Sequence, residues 1–168
     1  PQHLQNFHSI HPKDQRQWVA PCGFGTDELL REAIAATYGM IEMIDNGIGK
    51  ILKSLEDTQQ LDNTIIVFTS DHGDMMGDHG LFLKGFMHYR GTLQVPLMVR
   101  APGIEAQENH ELASSIDIGP TLLELCELPF YEGIQGETLV PILLGDKKSV
   151  RDCVLIEDDI ATVTSRLT

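Results

Sequence analysis

The chain has 168 residues and carries 25 Asp and Glu against 12 Lys and Arg, a formal charge of −13 at neutral pH. That balance, without a dense run of positive residues, excludes nucleic acid and anionic membrane surfaces as main partners. An apolar share of 42% argues against disorder, no apolar stretch nears the ~18 residues of a membrane span, and three scattered cysteines build neither a disulfide framework nor a Cys-based zinc site.

Residues 1–25 are polar and aperiodic and form an irregular lead-in segment, in which His3, His8 and His11 read as solvated loop residues. An amphipathic helix is predicted over 27–55. Thr26 is a good N-cap, Asp27 and Glu28 suit the positive end of the helix dipole, and Leu30, Ile34, Tyr38, Ile41, Ile44, Ile48, Ile51 and Leu55 recur at spacings of three and four. Gly47 and Gly49 weaken its last third by up to ~1 kcal/mol each, which close packing would offset. After an Asp62-Asn63 turn, the run TIIVFT at 64–69 is β-branched and nearly continuously apolar, as in a parallel strand covered on both faces.

The next 25 or so residues show no period. A second strand is predicted over 95–99, with Pro96 near its start, and a second helix over 118–125, with Pro120 in its first turn. Residues 133–145 read as loop, and 152–157 (DCVLIE) as a third strand. Helix, strand, strand, helix, strand implies an α/β fold. Three strands undersupply the sheet that the 64–69 run calls for, so the chain is expected to be a portion of a larger polypeptide. No signal peptide is visible, but the sequence opens on Pro1 rather than on Met and its true N-terminus is expected to be missing, so the localisation stays open.

The chemistry concentrates just past the 64–69 strand, at the edge where open α/β sheets place their ligands. Asp71 and His72 offer an anionic oxygen and an imidazole nitrogen, both suited to a divalent cation. Gly73 allows the backbone to turn away, and Lys84 supplies a point charge for an oxyanion. The same triplet also suits a plain turn with a solvated acid, and two ligands do not fill a metal shell. Asp78 and His79 echo the first pair and either reach substrate or stabilise the loop. His88 either faces the pocket or lies on the surface. Met75, Met76 and Met87 read as packing.

The stretch DNTIIVFTSDHGDMMGDHGLFLKG, with VPLMVRAPG after it, resembles the second signature block of the sulfatases, in the alkaline phosphatase superfamily. The flanks YGMIEMIDNGIGKILKSLEDTQQLDNT, SSIDIGPTLLELCELP and GIQGETLVPILLGD are similar too, so the likeness runs over about 29–157. It implies that 26–168 is part of a catalytic domain, a sandwich with a mostly parallel central sheet flanked by helices. It makes Asp71 and His72 metal ligands and Lys84 a contact to the sulfate and the leaving-group oxygen. The metal implied is Ca²⁺, with Mg²⁺ or Mn²⁺ as alternatives, and the substrate a small-molecule or saccharide sulfate ester.

The family's further metal carboxylates and its formylglycine nucleophile, made from a Cys or Ser in Cys/Ser-x-Pro-x-Arg, belong upstream; none of the three cysteines here has that context. The remainder of the same polypeptide is therefore the expected partner, and the 168-residue piece alone is expected to be inactive. Many members read Tyr-Glu-Gly where this chain has Tyr89-Arg90-Gly91, a change that bears either on substrate choice or only on the surface. Two alternatives remain: a phosphonate monoester or phosphodiester hydrolase of the same superfamily, and a non-catalytic metal-binding domain derived from the fold.

Overall fold

The computed structural model describes residues 27–84, 88–158 and 163–167. The lead-in segment 1–25 and its histidines, with Thr26 and Met87, lie outside them. The chain divides into two compact units, one of Pro1–Leu61 with Phe68–Leu97 and one of Asp62–Val67 with Met98–Thr168. It is an α/β protein.

In the first unit, helix α1 spans Asp27–Asp57, two residues beyond the predicted end. Its stop is a Schellman motif: Gln60 N–H donates to the Leu55 carbonyl at 2.8 Å and Gln59 N–H to that of Glu56 at 2.9 Å. Gln59 takes the left-handed position (φ 57°) that glycine usually fills. No residue of α1 is buried. Tyr38, Ile41, Ile44 and Ile51 stand exposed along the stripe. Gly47 and Gly49 have nothing within 4 Å of a would-be Cβ, so the close packing expected of them does not occur among the described residues. The N-terminal turns do pack: a Cβ built on Gly77 would lie 2.7 Å from Leu30 Cδ2.

Strands β1 (Ile66–Thr69) and β2 (Leu97–Arg100) form a two-stranded sheet. β1 starts two residues later than the apolar run, and its residues are half-buried, with Thr69 exposed, rather than covered on both faces. β2 begins just past Pro96, which has no N–H to give a ladder. Between them lies the short helix α2 (Arg90–Leu93), which hydrophobic periodicity did not reveal.

The second unit is built around helix α3 (Ile118–Leu125), with the bounds predicted from its sequence. Pro120 and Thr121 are buried on it, and Ala101, Leu139, Val140, Ile142 and Val154 are buried apolar residues of the same unit. The stretch read as loop contains a short helix, α4 (Val140–Leu143), with Pro141 in its first turn. β3 (Val154–Asp158) pairs antiparallel with β4 (Val163–Leu167), in a register that sets Val154 opposite Leu167 and Ile156 opposite Ser165.

Asp117, wholly buried, ties this unit together. Its carboxylate accepts the backbone N–H groups of Ser114 and Glu137, each at 2.8 Å, and pairs with Arg151. Asp117 also stands immediately before α3, so the start of that helix is one part of this hub. Among the described residues, no helix is long and apolar enough to cross a membrane.

A candidate cation and oxyanion site

β1 delivers the chain to Ser70, whose hydroxyl donates to the His72 carbonyl at 2.8 Å and tightens the turn that presents Asp71 and His72. Asp71 Oδ1 accepts the His72 N–H at 3.0 Å. That backbone bond, and then the nearby His72 ring and Lys84 ammonium, hold the Asp71 carboxyl below its ordinary value, against an opposing desolvation effect.

His72 Nδ1 lies 3.1 Å from the Gly73 carbonyl. A carbonyl only accepts, so Nδ1 carries the proton and Nε2 presents its lone pair. Lys84 Nζ donates to that lone pair. Asp71 Oδ2 stands 3.3 Å from the same Nε2. Two lone-pair donors thus converge beside one cation. Two adjacent ligands at right angles around an ion, with bonds of about 2.3–2.5 Å, are about 3.3–3.5 Å apart. Asp71 and His72 have that spacing, and the backbone bond to Nδ1 fixes the tautomer a metal-binding imidazole needs. Among the described residues, no third His, Cys, Asp or Glu completes a group that could hold a metal ion.

Gly73 is required for a different reason from the sharp turn expected of it. Its φ lies outside the left-handed region, but a Cβ there would sit 2.0 Å from the Gly91 carbonyl oxygen. Gly73 N–H donates to the Thr92 carbonyl at 2.8 Å, which binds the Asp-His turn to the start of α2.

The loop to Lys84 folds as a hairpin. Met76 N–H donates to the Phe82 carbonyl at 2.8 Å and Gly77 N–H to that of Leu81 at 2.7 Å. Met75 and Leu81 are buried beneath it, and the Thr92 hydroxyl meets Met75 Sδ at 3.4 Å. Met75 is therefore packing, as read. Left-handed backbone at Met76, Gly77, His79 and Gly80 makes the tip.

Of the residues singled out in the sequence, Asp71, His72 and Lys84 come together. His79 is placed at the hairpin tip, where its ring stacks on Tyr89 with centroids 4.1 Å apart and planes 19° apart. Asp78 Oδ2 lies 4.0 Å from His79 Nε2. His88 is half-buried, and Arg90 pairs with Gln94 one turn along α2. Two participants escaped the sequence reading: Tyr89, and Asp74, whose Oδ1 accepts the Lys84 N–H at 2.9 Å. Both interactions join residues ten apart, a separation that neither helical nor strand periodicity marks.

The chain matches the Sulfatase family model over residues 3–128. It is 38% identical to arylsulfatase K of Gallus gallus over 138 residues, covering 80% of this chain and 26% of that protein. Its structure is similar to that of a 2-O GAG sulfatase (TM-score 0.73, 31% identity, 78% of this chain and 29% of the other). A phosphonate monoester hydrolase of Agrobacterium radiobacter is similar as well (TM-score 0.69, 35% identity, 82% and 29%). The chain thus spans about a quarter of the length of the curated relatives it matches. With the family model covering most of its length, and the Asp-His turn and Lys84 inside the match, the chain belongs to the sulfatase family.

Proposed function

We propose that the polypeptide carrying this chain is a metal-dependent sulfuric ester hydrolase, to which the chain contributes two metal ligands and a sulfate-contacting lysine. The observation that carries this reading is the convergence of Asp71 Oδ2, His72 Nε2 and Lys84 Nζ at the end of β1. Asp71 and His72 would hold a divalent cation, with Ca²⁺ favoured because their 3.3 Å spacing suits its longer bonds better than the shorter bonds of Mg²⁺. Such a cation supplies fixed positive charge against the ester's oxygens. The ligands and nucleophile not found here, formylglycine included, are assigned to the remainder of the polypeptide, together with the strands that would extend β1 and β2 into a mostly parallel sheet.

Lys84 is the residue that meets the ester. Its ammonium orients the sulfate and stabilises charge on the leaving oxygen as the bond to sulfur breaks, and one such group is commonly worth about 10²–10³ in rate. A cation held by Asp71 and His72 would occupy the lone pair of His72 Nε2 that Lys84 Nζ now meets, leaving the ammonium for the ester's anion. His79, stacked on Tyr89, offers a flat and exposed surface to the alcohol side of the ester, and His88 lies one residue before Tyr89. A ring-bearing alcohol such as a sugar suits that surface, and the likeness to a 2-O GAG sulfatase supports it.

A second reading, hydrolysis of phosphonate monoesters or phosphodiesters, is favoured by the 35% identity to the Agrobacterium enzyme. Turnover of an aryl sulfate and of an aryl phosphodiester by the full-length polypeptide separates the two. Faster sulfate hydrolysis is expected; turnover of the diester alone would establish the second reading. A gene with no Cys/Ser-x-Pro-x-Arg upstream and no turnover of either ester would leave a non-catalytic metal-binding domain.

A further inference from the structure

We propose that Asp74 is a positioning residue for Lys84, and that its carboxylate sets where the lysine's ammonium stands. The inference rests on the reading of Lys84 as the sulfate contact. Lys84 ends a loop of ten residues, and a lysine stem is long and flexible, so the place of its main chain decides what Nζ can reach. The hairpin's backbone bonds reach outward to the pair Met76–Phe82. Continued outward in the same register, the next residues to face each other with matching orientation are Asp74 and Lys84.

At that rung the backbone of the hairpin's first arm is already engaged on its other side. Gly73 N–H is bound to the Thr92 carbonyl, and Gly91 is packed so closely that a Cβ on it would stand 3.4 Å from the Asp74 carbonyl oxygen. The Asp74 side chain supplies the acceptor instead, taking the Lys84 N–H at 2.9 Å. One residue therefore joins the turn that carries His72 to the hairpin arm that carries Lys84. Nζ then meets His72 Nε2 across a covalent path of twelve residues.

The test is a double-mutant cycle in the full-length polypeptide, using the aryl sulfate or, if that is the ester turned over, the phosphodiester. Asp74→Ala is expected to lower kcat/KM about 10–10²-fold, as a misplaced catalytic group does. Asp74→Asn keeps a carbonyl oxygen as acceptor and should recover to within about threefold of wild type. In a Lys84→Ala background, Asp74→Ala should cost almost nothing further, because its whole effect passes through Lys84. An equal loss in that background, or failure of Asn to rescue, would overturn the assignment.

Amide hydrogen exchange at Lys84 gives a readout independent of turnover: exchange should quicken at least about tenfold in Asp74→Ala and stay near wild type in Asp74→Asn. If the wild-type polypeptide hydrolyses neither ester, the functional reading fails and Lys84 has no reaction to be positioned for; the exchange result then decides the Asp74–Lys84 bond alone. Unchanged exchange in Asp74→Ala would sink the bond in either case.

Discussion

Asp71 shows how a short stretch of backbone prepares a charge. Its carboxylate is bound by the next residue's N–H, and the His72 ring and Lys84 stand nearby, so its folded-state pKa is lowered. A depressed carboxylate favours the fold at pH above its unfolded value and loses that contribution as pH falls through the folded value. A ¹³C NMR titration should therefore place the Asp71 midpoint below the ordinary 3.8. Removing Lys84 should raise that midpoint less than disrupting the backbone bond would, because the bond is the largest cause. A midpoint at or above 3.8 would contradict this account of the turn. Backbone sets the neighbouring side chain as well: Gly73's carbonyl selects the His72 tautomer that leaves the lone pair on Nε2.

The turn works because two elements are pressed together. Gly73 and the start of α2 approach so closely that Gly73→Ala forces backbone to move, at a cost of about 1–3 kcal/mol. A urea titration should show a lower midpoint with an unchanged slope; an unaltered midpoint would mean that the close approach is not a constraint. Elements of this kind differ in how far the sequence discloses them. α1 and α3 were legible because caps and a 3.6-residue period are local. The end of α1 was underestimated because Gln59, not glycine, takes the left-handed stop. β1 and β2 were legible as apolar runs, with edges displaced by about two residues. α2 and α4, one turn each, are too short to show a period. β4 (VTSRL) carries few apolar residues, and its pairing with β3 is a tertiary fact. Asp71, His72 and Lys84 could be read from motif and resemblance, whereas Asp74 and the Tyr89 stack depend on how the hairpin folds back.

Each unit of the whole molecule has its own tie. In the second, Asp117 binds two backbone N–H groups and Arg151 with no exposure to solvent. Asp117→Ala leaves the mostly buried Arg151 without this partner, and should destabilise the protein by about 3–5 kcal/mol in denaturant titrations, with Asp117→Asn costing less. In the first, the exposed stripe of α1, with Tyr38, Ile41, Ile44 and Ile51, has the apolar surface of a helix that packs against a larger core. That fits a chain spanning about a quarter of its relatives. The charge of −13 is in part functional on this reading, since Asp71 would face a cation. The most direct test is steady-state hydrolysis of an aryl sulfate by the full-length polypeptide, wild type beside His72→Ala, before and after chelation of divalent cations. Metal-dependent turnover by the wild type, reduced about 10²-fold or more in the variant, is the expected result. Equal turnover by the two proteins, indifferent to the chelator, would contradict it.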